Sequence, residues 1–192
     1  MSRRAAIADA AITTLARDGM RGLTHRAVDR AAGLPEGSAA YYFRTRQALL
    51  KATVERLAEL DSTDMLPSTG LPVPPGHELD AFAAAAAAII ENWLTTGRER
   101  QLARYELALE ATRRPELRDA LVASGAAIRA MVASQFAAAG IRQPGQRAAD
   151  FVAFVDGLVF DQIAGAGARN LTSADLVAAI RALLAAVAGT KP

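Results

Sequence analysis

Cysteine is absent from the 192 residues, which excludes disulfides, thiolate metal centres and cysteine nucleophiles. Histidine is almost absent as well. With only His25 and His77 there is little material for a histidine-based zinc site, and neither metal nor cofactor is expected. Aromatic residues make up 5% of the chain, and no stretch shows the alternation of a half-buried strand. Long apolar runs are lacking too. The most apolar, Ala81 to Ile90, is mostly alanine and falls well short of the roughly 20 residues that span a bilayer. Asp9, Arg17 and Asp18 interrupt any hydrophobic export segment near the N-terminus, so the sequence reads as a cytoplasmic protein with no membrane partner.

What remains is 52% hydrophobic and dominated by alanine, enough for a sizeable core and suited to an all-α architecture. Charge is spread unevenly. Met1 to Lys51 hold nine Lys/Arg against four Asp/Glu, while the rest of the chain holds thirteen against sixteen. A basic module on a mildly acidic body is the electrostatic footprint of a nucleic-acid binder, because neutralising phosphates releases condensed counterions.

Within that basic module lies the most informative stretch, Leu23 to Phe43. Thr24 can cap a short helix whose apolar stripe is Val28, Ala31 and Ala32, and Gly33 ends it at a position suited to positive φ. A second helix is expected from about Pro35 to Tyr42, since proline in a first turn loses no hydrogen bond and Glu36 suits the positive end of the helix dipole. Leu34 and Phe43 are its anchors into a small core. The pattern is that of a DNA-reading helix-turn-helix.

Seven further helices are read from periodicity and breakers. A supporting helix runs from Arg3 to Asp18 and stops at Gly19, and a connecting helix covers about 47–61. A Pro-, Ser- and Asp-rich loop, with Pro67, Pro72, Pro74 and Pro75, covers about 62–77. Five helices follow, about 78–96, 98–114, 116–139, 146–168 and 173–188, the last with Thr172 and Ser173 as candidate caps. The implied division is a helix-turn-helix domain over 1–46 and a second helical domain over 47–192, nine helices in all.

The last two helices look too apolar all round for a monomer's outer layer. Phe154, Leu158, Val177, Ile180 and Leu184 are the candidates for a dimer interface, the alternative being that these faces are internal core. An enzyme fits poorly: neither histidine adjoins a nucleophile motif, and Glu106 with Glu110 at four-residue spacing reads as one helix face, so no catalytic residue is assigned.

Leu23-Thr24-His25-Arg26, Ala31-Ala32-Gly33-Leu34, Gly37-Ser38, Tyr41-Tyr42-Phe43 and Arg46 with Leu49 together resemble the tetracycline-repressor (TetR) family of bacterial transcriptional regulators. The likeness is close over about the first fifty residues. It implies that the helix from Pro35 to Tyr42, with Glu36 and Gly37, enters the major groove of an operator duplex. Arg26 then resembles a base-reading arginine, able to fork onto guanine O6 and N7, and Ser38 and Tyr41 are further base or sugar contacts. Thr24, His25, Tyr42 and Arg46 are expected on phosphates. Two positions depart from the family's usual pattern. Ala40 stands where many relatives have tyrosine, and Asp29 where a small neutral residue is more usual, with Arg26 or Arg30 as candidate partners one turn away.

The resemblance further implies a homodimer and a mostly apolar small-molecule effector pocket lined by Phe82, Trp93, Tyr105, Glu106, Met131, Phe136 and Phe151. Arg104, Glu110 and Gln162 are additional polar candidates. A ligand favouring the conformation with misplaced recognition helices would release the operator, the shift passing along the connecting helix. A DNA-binding module without an effector is the alternative.

Overall fold

A computed structural model describes residues 2–65, 78–167 and 171–188. Among these the chain forms nine helices and no strand, as the composition requires. They are α1 (Arg3–Gly22), α2 (His25–Ala31), α3 (Ser38–Tyr42), α4 (Arg46–Met65), α5 (Glu78–Leu94), α6 (Arg98–Ala111), α7 (Pro115–Ala138), α8 (Pro144–Ile163) and α9 (Ser173–Ala188). The connecting helix therefore runs past its expected end. Asp61 continues it because its carboxylate is tied to Arg104 of α6 and not to a turn, and Ser62 donates back to the Ala58 carbonyl at 2.9 Å. The four loop prolines and His77 lie outside the described residues.

The helices gather into two compact units, and these do not follow chain order. One holds 1–62 and 97–125, so the first four helices share a core with α6 and the start of α7. Ile7, Ala11 and Leu15 of α1 meet Leu49, Leu50, Val54 and Leu57 of α4 and Ala103 and Leu107 of α6 in one apolar cluster. Val28, Ala39 and Phe43 bring the helix-turn-helix into the same cluster. The spacing of the α1 and α4 residues by three or four positions is what puts them on one face.

The other unit holds 63–96 and 126–192. Helix α9 packs on α5 and α8 through Leu176, Ile180, Leu184 and Val187. Thr172 caps it reciprocally with Asp175: the Asp175 N–H donates to the Thr172 hydroxyl oxygen at 3.2 Å, and the Thr172 N–H donates to the Asp175 carboxylate at 2.9 Å. Phe82, Phe136 and Phe151 lock together with ring centroids 5.4–5.5 Å apart in tilted and edge-to-face arrangements.

Among the described residues, α7 and not the Ala81 stretch is the helix long and apolar enough by composition to cross a membrane. Three of its side chains, Leu117, Val132 and Phe136, are buried in protein. Replacing Phe136, which is fully enclosed by the aromatic trio and its neighbours, by alanine should cost about 3–5 kcal/mol, read as a lower urea midpoint at unchanged slope.

Candidate nucleic-acid interface

Helix α2 begins where Thr24, in extended backbone, accepts the Ala27 N–H on its hydroxyl at 3.1 Å. It ends in a paired closure: the Gly33 N–H donates to the Arg30 carbonyl at 3.2 Å and the Leu34 N–H to the Asp29 carbonyl at 2.9 Å. Gly33 at φ +63° supplies the left-handed residue that this closure needs. The turn is thus the one the sequence implies.

The second helix differs from expectation. Pro35 and Glu36 lie in the turn, Gly37 adopts φ +92°, and α3 starts only at Ser38. Gly37 has no side chain to cap the new helix. Asp29 does this from α2: its Oδ2 accepts the Gly37 N–H at 2.8 Å and its Oδ1 accepts the Ala39 N–H at 2.6 Å. At 3% exposure Asp29 is buried, and its oxygens serve backbone donors rather than Arg26 or Arg30. The unusual acid at this position is a cap supplied in space, not in sequence.

The far end of α3 is fastened as firmly. His25 donates from Nε2 to the Phe43 carbonyl at 2.7 Å, and Arg4 of α1 donates to the Tyr42 carbonyl at 3.1 Å with its guanidinium 4.4 Å over the Phe43 ring. Arg46 points inward, donating to the Leu23 and Met20 carbonyls. His25 and Arg46, both expected on phosphates, thus spend these donors on the backbone of their own chain.

Other residues of the motif remain outward. Tyr41 is 80% exposed, its ring edge-on to the half-buried Tyr42 at 5.2 Å. Thr24, Arg26, Pro35, Glu36 and Gly37 are exposed around it, with the half-buried Ser38 donating to the Pro35 carbonyl at 2.7 Å. Arg26 is paired with Glu36 in the solvent-exposed part of the turn. Such a pair is worth little in water, so the guanidinium can change partner cheaply. Arg44, two residues beyond α3 and exposed, is a further basic side chain beside these; its signal in the sequence is a basic residue directly after the motif.

The residues expected around an effector are drawn from both units. Tyr105 and Glu106 belong to the unit with the helix-turn-helix, whereas Phe82, Trp93, Met131, Phe136 and Phe151 belong to the other. The three phenylalanines come together, and Trp93 has its indole N–H buried without a partner. Glu106 accepts the Met20 N–H at 2.9 Å, Glu110 pairs with Arg114, and Arg104 bridges Asp61 and Gln101. Gln162 contacts its neighbour Asp161. A groove of about 870 Å³ runs between α4 and the first turns of α7, floored by Leu50, Val54, Leu117 and Ala120. None of the expected pocket residues lines it.

The expected interface residues also divide. Phe154 is 60% exposed, and Leu158 and Val177 are partly exposed. Ile180 and Leu184, at 1% and 2% exposure, are core residues of their own chain, because the stripe they share with Leu176 is the face that α9 turns onto α5 and α8. They are removed from the interface set.

Comparison with known proteins decides the family. Residues 77–189 match the tetracyclin repressor-like C-terminal domain, and residues 7–53 match the bacterial regulatory proteins of the tetR family. The chain belongs to the tetracycline-repressor family. It is accordingly a DNA-binding transcriptional regulator whose C-terminal domain is of the ligand-binding type. Among solved structures, the multidrug binding protein EbrR in complex with imidazole is 27% identical, with a TM-score of 0.69 over 95% of both chains. The same protein with ethidium gives 26% and 0.70 over 95% of this chain and 98% of that one. A family member from Streptomyces coelicolor A3 is 26% identical, with a TM-score of 0.73 over 95% and 98%. No curated protein matches the chain by sequence. Regulators of this family are generally not enzymes.

The cap on α3 makes a direct prediction. Asp29→Ala strands two backbone donors, one of them on the fully buried Ala39, and should lower stability by about 2–3 kcal/mol in urea unfolding. Asp29→Asn, which keeps one acceptor, should cost less. Equal stability of all three proteins would show that the cap contributes nothing.

Proposed function

We propose that this TetR-family protein is a repressor that binds a palindromic operator as a homodimer and is released by a small, largely apolar ligand. The observation that carries the DNA half is α3 itself. A five-residue helix is held at both ends by Asp29, His25 and Arg4, while Tyr41 projects from it into solvent. That is a rigid reading head with a free tip. In this reading Pro35, Glu36, Gly37, Ser38 and Tyr41 face the major groove with Arg26, and Thr24, Tyr42 and Arg44 meet the flanking phosphates. His25 and Arg46 act by positioning.

A head of this size reads few base pairs, so two copies on half-sites about 34 Å apart supply the specificity. Exposed Phe154 and partly exposed Leu158 on α8, with partly exposed Val177 on α9, support a pairing surface there, since apolar groups face solvent in one chain. The effector half is supported by the EbrR structures, whose printed ligands are imidazole, ethidium and malachite green. In the chain described here the aromatic residues of α5, α7 and α8 are the candidate ligand contacts, Trp93 with its unpartnered N–H among them. The protein acts wherever the cell keeps its DNA, which in a bacterium is the cytoplasm.

Selection of bound duplexes from a random pool tests the reading and should return an inverted repeat; sequence-independent recovery would refute it. On the selected operator, Arg26→Ala should lower discrimination at one base position by roughly tenfold or more, the worth of one bidentate contact, in competition gel shifts. Phe154→Asp should yield monomers in light scattering, and a persistent dimer would remove α8 from the interface.

A further inference from the structure

Helix α1 is broken near its end. Gly19, at φ +67° and ψ −175°, leaves the helical region, and Met20 to Gly22 form a last turn before Leu23 and the cap of α2. A side chain at Gly19 would meet only the Glu106 carboxylate, at an ordinary 3.7 Å, so it is the backbone conformation that calls for glycine there. The residue after the break is gripped from two sides. Its N–H donates to Glu106 of α6 at 2.9 Å, and its carbonyl accepts from Arg46 at the start of α4, which also takes the Leu23 carbonyl. Three residues separate this double grip from Thr24, the cap at which α2 begins.

Helix α6 has a second polar hold two residues earlier, where Arg104 pairs with the buried Asp61 of α4. Both partners of α6 thus carry the helix-turn-helix, one on each side, and α6 lies within the matched C-terminal domain. A charge-assisted bond to a backbone N–H is directional, and it ties the peptide plane of a hinge residue to the α6 helix. We infer that Glu106 is a positioning residue for DNA binding: through Met20 it couples the placement of the helix-turn-helix to that of α6, so that operator binding and the setting of α6 each respond to the other. This rests on the operator-binding reading above and adds a route besides the connecting helix.

Coupling between sites is reciprocal, so operator DNA can serve as the probe without an identified effector. Hydrogen exchange is measured on the full chain, free and bound to the selected operator duplex. Operator should slow exchange at Met20 and across residues 98–111 by about fivefold or more, the lower end of ordinary coupling. Glu106→Leu should abolish the slowing across 98–111 while α2 and α3 stay protected by DNA. Glu106→Gln keeps an acceptor for Met20 and should keep the response. Should E106L unfold, Glu106→Asp, which withdraws the carboxylate by one methylene, carries the same arm. A merely structural contact predicts faster exchange in the variant with and without DNA alike, and an undiminished response. That result, or wild-type exchange over 98–111 indifferent to operator, overturns the coupling. Absence of protection in α2 and α3 by any duplex overturns the operator-binding reading itself, and the coupling falls with it.

Discussion

The buried carboxylate of Asp29 is the contact on which this reading head depends. A helix of five residues cannot hold itself together in water, because nucleation fixes several dihedral angles for each bond gained. Its geometry has to be imposed from outside. Asp29 imposes the start by meeting two backbone donors at once, and it can do so only because the closure at Gly33 turns the chain back across α2. His25, Arg4 and the buried Phe43 impose the end. The fixed α3 in turn sets where Tyr41 points.

Much of this was legible before any coordinates, and the parts that were not share a cause. Thr24, Gly33 and Thr172 were readable because capping and left-handed residues act on neighbours within a few positions. The role of Asp29 is not legible in this way because its partners are backbone groups eight and ten residues away, invisible to any pairing of side chains by helical spacing. The start of α3 is ambiguous in the sequence because Pro35 and Glu36 suit a first turn as well as they suit the turn before it. Gly37, at positive φ, is what postponed the helix.

A similar limit governs the apolar faces. Phe154 and Ile180 look alike in a sequence, since an apolar stripe says that something must cover it and not what does. Only the packing of α9 on α5 and α8 assigns Ile180 and Leu184 to the interior. Likewise the residues assembled by resemblance into one pocket fall in two units, Tyr105 and Glu106 in the one that holds the helix-turn-helix. Glu106 exchanged a ligand's role for a hold on the backbone.

The pairing of Arg26 with Glu36 bears on how such a protein searches a genome. A solvent-exposed ion pair holds the guanidinium by no more than about 1 kcal/mol, so it does not keep the arginine from a phosphate or a base. The carboxylate beside it is repelled by the sugar-phosphate rail at every position along a duplex. Under the proposed operator-binding reading, what the pair adds against decoy sites is that repulsion and not a withheld cation.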